Sequence, residues 1–221
     1  MDSQYDSIGE AGLRFFGKVS ASIAHEMKNI LAIINENAGL LEDMTFAAQR
    51  KGEGIDPERL NRACQNFSKQ IHRADEILKN MSQFAHSVDQ LDVSVNLHEL
   101  TGFVSTLAGR LAAMRKVTIE TAPPKEPINL TTNTFLLENL IWLCLEFAIK
   151  TMNSDQTLIL TLAKQGEAIH LQIAPVDGLA EAYPHQLPAG YEEILSALGA
   201  ELVPDFAKSQ LTLHLPARAE A

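Results

Sequence analysis

Between about Ile8 and Met44 the chain has no proline. Its apolar residues recur as Phe16, Ile23, Met27, Ile30, Ile34, Leu41 and Met44, on alternating steps of four and three. That spacing predicts a long amphipathic helix. Ser20 and Asn37 take polar places in the seam, beside Val19 and Ala38, and polar seam residues fix register at some cost in stability. From Ala48 the pattern lapses, Gly52 and Gly54 follow, and Asp56-Pro57-Glu58 supplies an N-cap and a first-turn proline. A second helix is then predicted, with Leu60, Cys64, Phe67, Ile71, Ala74, Leu78, Met81, Ala85 and Val88 in its seam and Ala63, Ile77 and Phe84 flanking it. Two matching seams predict an antiparallel hairpin over residues 1–90. At about 1.5 Å per residue each arm is about 50 Å long. One pair of arms leaves much of this wide stripe uncovered, so a second copy is expected to complete a dimeric four-helix bundle.

Beyond a hinge at Ser87 to Ser94 the periodicities are mixed. A helix is predicted from Leu97 to about Met114, a strand at Val117–Glu120, and a loop around Pro123, Pro124 and Pro127. A buried helix follows from Phe135 to Met152, and Thr157–Leu162 with Ala168–Ile173 read as a hairpin about Gln165-Gly166. A helix at Tyr191–Leu198, Gly199 and a strand at Gln210–Leu215 close the chain. The expected class is α+β, with a small α/β sandwich over residues 95–221 behind the helical hairpin.

The chain has 221 residues, 46% of them hydrophobic and 21% charged, a globular balance that argues against disorder. With 18 Lys and Arg against 28 Asp and Glu the formal charge is −10, and no basic run offers a footprint for nucleic acid. Cys64 and Cys144 have no second ligand nearby in sequence, so neither a disulfide framework nor a zinc site is expected, and both read as buried thiols of a cytoplasmic protein. Residues 1–6 carry no basic, then apolar, leader, and the apolar run Phe135–Ile149 is broken by Glu138 and Glu146, so no membrane segment is predicted.

The candidate chemistry lies opposite the seam of the first helix. At about 100° per residue, Lys18, Ala21, Lys28, Asn29, Ala32, Glu36 and Gly39 fall within about 60° of His25. Asn29 is one turn from His25, the spacing at which side chains meet, and the small residues let a partner approach the ring. A neutral imidazole is a nucleophile near pH 7, and a carboxamide one turn away can orient a water or a phosphoryl oxygen. Glu26, on an adjacent position, is expected to face a docked partner rather than hold the ring. The zinc motif His-Glu-x-x-His fails because the fifth residue is Asn29. His72, His86, His98 and His185 read as solvated, and His170 and His214 as packed in strands.

The run Phe16 to Leu31, with His25-Glu26-Met27-Lys28-Asn29 at its centre, resembles the phosphoacceptor box of sensor histidine kinases of the His-Glu-x-x-Asn subgroup. Ile30 departs from it, since many members have proline there. The second half is similar to the ATP-binding domain of the same kinases. Leu198–Leu202 with Leu211–Pro216 resembles that domain's closing segment, and Leu137–Lys150 its asparagine-bearing helix, in frame only. Aligned on Ala148-Ile149-Lys150, Leu143 and Phe147 stand where the family's nucleotide- and magnesium-binding asparagines fall. Only Asp177-Gly178 is left of the adenine box, read here as an ordinary turn, and no glycine-rich lid follows.

The resemblance therefore implies a degenerate ATPase domain that binds no cofactor, and a histidine phosphotransferase similar to those of multistep phosphorelays. Its expected partners are a second copy and response-regulator receiver domains, which would bring the magnesium; neither nucleic acid nor membrane is expected. The implied site is His25 as acceptor, Glu26 as base, Lys28 against the phosphoryl charge and Asn29 to orient water. Two alternatives stay open: a divergent kinase that still binds ATP, and a non-catalytic pseudokinase or phosphatase that binds receivers.

Overall fold

The computed structural model describes residues 2–89, 91–166 and 168–216. Residues 1, 90, 167 and 217–221, which include the outer ends of both expected domains, lie outside the described residues. The fold is α+β. Helix α1 (Asp2–Lys51) and helix α2 (Pro57–His86) form the hairpin, each longer than its seam residues alone mark out at the N-terminal or turn side. Gly52, at φ 68°, takes the left-handed conformation that ends α1, and Asp56 caps α2 by accepting from the Glu58 N–H at 3.0 Å.

Two compact units result, and they do not divide at the hinge. One is Ser20–Gln83, the hairpin proper; the other joins Met1–Val19 to Phe84–Ala221. Within the hairpin, Ile30, Ala63 and Gln70 are buried, while Ile23, Met27, Ile34 and Met44 are half-buried. The expected α2 seam is only partly used. Leu60, Ile71 and Leu78 are exposed, because the hairpin contact runs along the flanking row that includes Ala63 and Gln70. Cys64 lies on the same uncovered row and is exposed, against the expectation of a buried thiol. Asn66 Nδ2 donates to Asn37 Oδ1 at 3.3 Å, a polar pairing between the two helices at the seam's polar position.

The second unit is built on two sheets. Strands β1 (Val93–Asn96) and β3 (Asn129–Thr132) pair antiparallel in a two-stranded ribbon. Strands β2 (Thr118–Ala122), β4 (Thr157–Gln165), β5 (Ala168–Ala174), β6 (Glu201–Asp205) and β7 (Gln210–Pro216) form a sheet of order β2-β4-β5-β7-β6, with β2 parallel to β4 and the rest antiparallel. Alternation sorts its faces. Leu160, Ile173 and Leu211 lie in cross-strand register, as do Leu162 and Leu171 with Leu213 and Leu202, and all are buried. Thr161, Gln172, His170 and His214 alternate onto the other side, where the two histidine rings meet edge-on at 4.5 Å.

Helix α3 (Leu97–Met114), capped by Asn96, and helix α6 (Tyr191–Leu198), stopped by Gly199 at φ 63°, match their expected bounds. Helix α4 (Thr134–Thr151) is capped by Asn133 and buried continuously from Leu137 to Ile149, as its lack of a polar face requires. Strands β1, β3 and β6 and the one-turn helix α5 (Leu179–Ala182) were not expected. Four-residue strands offer too little alternation to read, and Pro204 masks β6, where it is tolerated because β6 is an edge strand.

Candidate functional site

His25 is exposed on α1, within the hairpin unit. Helical spacing brings the Asn29 amide to it, with Nδ2 3.2 Å from the ring Nδ1. An amide N–H donating to Nδ1 leaves the ring proton on Nε2; with the amide turned over, Oδ1 accepts from Nδ1–H and the Nε2 lone pair is free. The same contact thus serves both neutral tautomers. Lys28 is exposed, as are Ala21, Ala32 and Glu36 on the same stripe. Glu26 does not stand free for a partner: its Oε2 lies 3.6 Å from Arg73 of α2. No sequence signal marks Arg73 as that partner, because the pair spans two helices.

Lys18, expected beside His25, belongs to the other unit and is bound there. Its Nζ donates to both oxygens of Glu146 on α4, at 2.8 and 2.6 Å, and Lys150 donates to the same carboxylate at 2.7 Å. Burial pushes the Glu146 carboxyl up, but the hydrogen bonds from Lys150 and Lys18 outweigh it and hold its pKa below the usual carboxylate range.

Around this pair the first turns of α1 pack on α4. Phe15 meets Trp142 and Phe135 at ring distances of 5.6 Å each, and Phe84 at 5.1 Å edge-on. Gly12 admits the Phe135 ring, which a Cβ there would approach to 3.1 Å, and Ser7 Oγ donates to Glu193 of α6 at 2.8 Å. Gly190, at φ 91°, is obligatory: a Cβ would lie 2.6 Å from that of Ala11.

Leu143 and Phe147 are both buried, Phe147 edge-on to Tyr183 at 6.5 Å and Leu143 beside Phe15 in the lining of one small cavity. Apolar packing stands where the resemblance would put a nucleotide's polar ligands. Asp177 accepts from Asn153 Nδ2 at 3.1 Å, and Gly178 is needed because a Cβ there would come 2.9 Å from the Thr151 carbonyl. That is a turn packed on the end of α4.

No protein-family model and no curated protein matches the sequence. Among solved structures, Acinetobacter baumannii histidine kinase AdeS is 12% identical with a TM-score of 0.49, over 88% of this chain and 98% of that one. The chain is similar to histidine kinases. The catalytic domain of histidine kinase ThkA is 12% identical over 59% of this chain and all (100%) of that one, TM-score 0.47. Mycobacterial sensor histidine kinase MprB is 15% identical over the same shares, 59% and 100%, TM-score 0.44. At such identities, what the chain does has to be read from its own residues.

Glu138 is a second buried carboxyl of α4, and unlike Glu146 it has no cation partner among the described residues. Burial pushes its pKa from 4.5 up to about 7, opposed only in part by the Ser87 hydroxyl. A carboxyl that is easier to protonate in the folded state contributes stability that is fully present below pH 4.5 and is lost as pH rises through about 7. The loss is about 3 kcal/mol. Glu138→Gln is therefore expected to flatten the fall in urea-melt stability between pH 4.5 and 8 and to stabilise the protein at pH 8. A slope unchanged by the substitution would show that Glu138 is not its source. Among the described residues no helix is long and apolar enough to cross a membrane.

Proposed function

We propose that the chain is a cytoplasmic histidine phosphotransferase of two-component signalling, which moves phosphoryl groups between His25 and the aspartates of response-regulator receiver domains without using ATP. The observation that carries this reading is the exposed imidazole of His25 with the Asn29 amide 3.2 Å from Nδ1. In the forward step the Nε2 lone pair forms the N–P bond as the P–O bond to the receiver's aspartyl carboxylate breaks. The carboxylate leaves with the bonding pair, and the Nδ1 proton is held by Asn29. Glu26, paired with Arg73, is proposed as a base near the reacting centre, and Lys28 offsets the phosphoryl charge. Magnesium comes with the receiver. The packing of Leu143, Phe147 and the first turns of α1 supports a second domain that has given up nucleotide.

The test is a labelling experiment with two arms. The protein is mixed with labelled Mg-ATP, or with receiver domains already carrying labelled phosphate. Label taken from a receiver and never from ATP is expected; label taken from ATP would make the protein a kinase.

The active form is proposed to be a homodimer, because the exposed row Leu60, Cys64, Ile71 and Leu78 of α2, at steps of four and seven, keeps the heptad phase of a bundle seam. Each such side chain buried contributes about 1.5–3 kcal/mol, and each counts twice across a two-fold axis. The double variant Ile71→Glu/Leu78→Glu is expected to weaken association by roughly 10³-fold or more and to run as a monomer in light scattering at micromolar concentration. A variant that stays dimeric would place the interface elsewhere.

A further inference from the structure

On the outer face of the five-stranded sheet one row of side chains crosses three strands. His170 of β5 stands opposite His214 of β7, and His214 stands opposite Glu201 of β6. Alternation fixes the row, because Ile169, Leu171, Leu213 and Leu215 on either side of the histidines are buried and so turn both imidazoles outward. Residues directly opposite on antiparallel strands have Cβ atoms about 4.5–5.5 Å apart, which brings the rings together. They meet edge-on with centroids 4.5 Å apart.

This contact leaves the polar atoms of both rings unused. Neither His170 nor His214 has a hydrogen bond or an ion pair among the described residues, and both are only half-buried. Their nitrogens are open to solvent, not sealed in the core. Burial and the neighbouring His214 lower the pKa of His170, which favours the neutral imidazole that ligates metals. Two imidazoles on one ion at tetrahedral angles, each with a metal–nitrogen bond of about 2.0–2.1 Å, have centroids about 5 Å apart. The pair already stands close to that spacing, and the broad terminal torsion of histidine lets both nitrogens turn toward a shared ion. No three ligating side chains meet among the described residues, so water fills the other positions of such an ion. The exposed Glu201 carboxylate, next in the row, adds the opposite charge.

We propose that His170 and His214 bind a divalent transition-metal cation of the zinc type across strands β5 and β7, with Glu201 at its edge. Imidazole suits zinc, copper and nickel, whereas magnesium and calcium take oxygen ligands. The proposal goes beyond the phosphotransfer reading and involves neither His25 nor a receiver, so either can fail alone.

The full-length, untagged protein is dialysed against zinc chloride in a buffer that does not itself bind metal, beside magnesium and calcium chlorides. One saturable equivalent of zinc per chain is expected, with a thermal midpoint that rises with zinc concentration, and neither effect with magnesium or calcium. Losing even an outer partner of a bound metal weakens affinity about 10–100-fold, so His170→Ala and His214→Ala should each cost at least about 100-fold and Glu201→Gln about tenfold. In the parent itself, the ring-proton NMR signals of His170 and His214 should shift together as zinc is added, a readout that does not depend on any variant folding. The proposal is overturned if zinc does not bind, if magnesium binds as well as zinc, or if those two signals stay in place. It is also overturned if both histidine variants, folded by circular dichroism, keep the parent's affinity, which would put the metal elsewhere.

Discussion

Replacing His25 with alanine is expected to abolish acquisition of label from a phosphorylated receiver, by at least about 10³-fold, since no second imidazole stands on that stripe to take over. The fold should be untouched, because His25 is exposed and its hydrogen-bond partner among the described residues is Asn29, itself exposed. Circular dichroism and the thermal midpoint of the variant should therefore match the parent. Asn29→Ala separates two roles. Transfer needs the ring nitrogen and only loosely the amide, whereas removal of phosphate from a bound receiver needs a water oriented by that amide. Asn29→Ala should keep transfer within about tenfold and lower receiver dephosphorylation by about 10²-fold. The reverse pattern, or label retained by His25→Ala, would sink the assignment of both residues.

The second large effect falls on stability. Phe84 is fully buried, with Phe15 at 5.1 Å, Phe16 stacked at 5.4 Å and Phe135 at 6.2 Å. Truncating such a ring removes its transfer free energy and leaves a cavity that these three aromatic neighbours cannot close, so Phe84→Ala should cost about 3–5 kcal/mol. In a chain of this length that lowers the melting midpoint by roughly 10 °C. Leu78→Ala, at an exposed site of the same helix, should cost the folded protomer far less. If Phe84→Ala cost under about 1 kcal/mol in urea melts, the aromatic cluster that fastens α1 to α4 would not be the anchor described here.

The sequence by itself determined what depends on near neighbours. Both long helices, the Asp56-Pro57 start and the Gly199 stop are written in residues within a turn or two of where they act. So is the meeting of His25 and Asn29, because residues four apart on a helix lie on one face whatever the rest of the chain does. The apolar character of Leu143 and Phe147 could be read too, once the frame of their helix was set.

Only the tertiary structure decided matters that join distant segments. Strands β1 and β3 exist because they pair with each other across more than thirty residues, and nothing within four residues signals that. Glu26 facing Arg73, and Cys64 left exposed, follow from which flank of a wide apolar stripe the two helices chose, a choice both flanks allow. The two glutamates that merely interrupt an apolar run in the sequence part company in the fold: Glu146 is charged between Lys18 and Lys150, while Glu138, with no cation partner among the described residues, has its pKa raised to about 7. The first turns of α1, periodic enough to belong to the hairpin, pack instead on α4, because Phe15 finds Phe84, Phe135 and Trp142 there. Periodicity states that a face will be buried; three-dimensional packing chooses the surface that buries it.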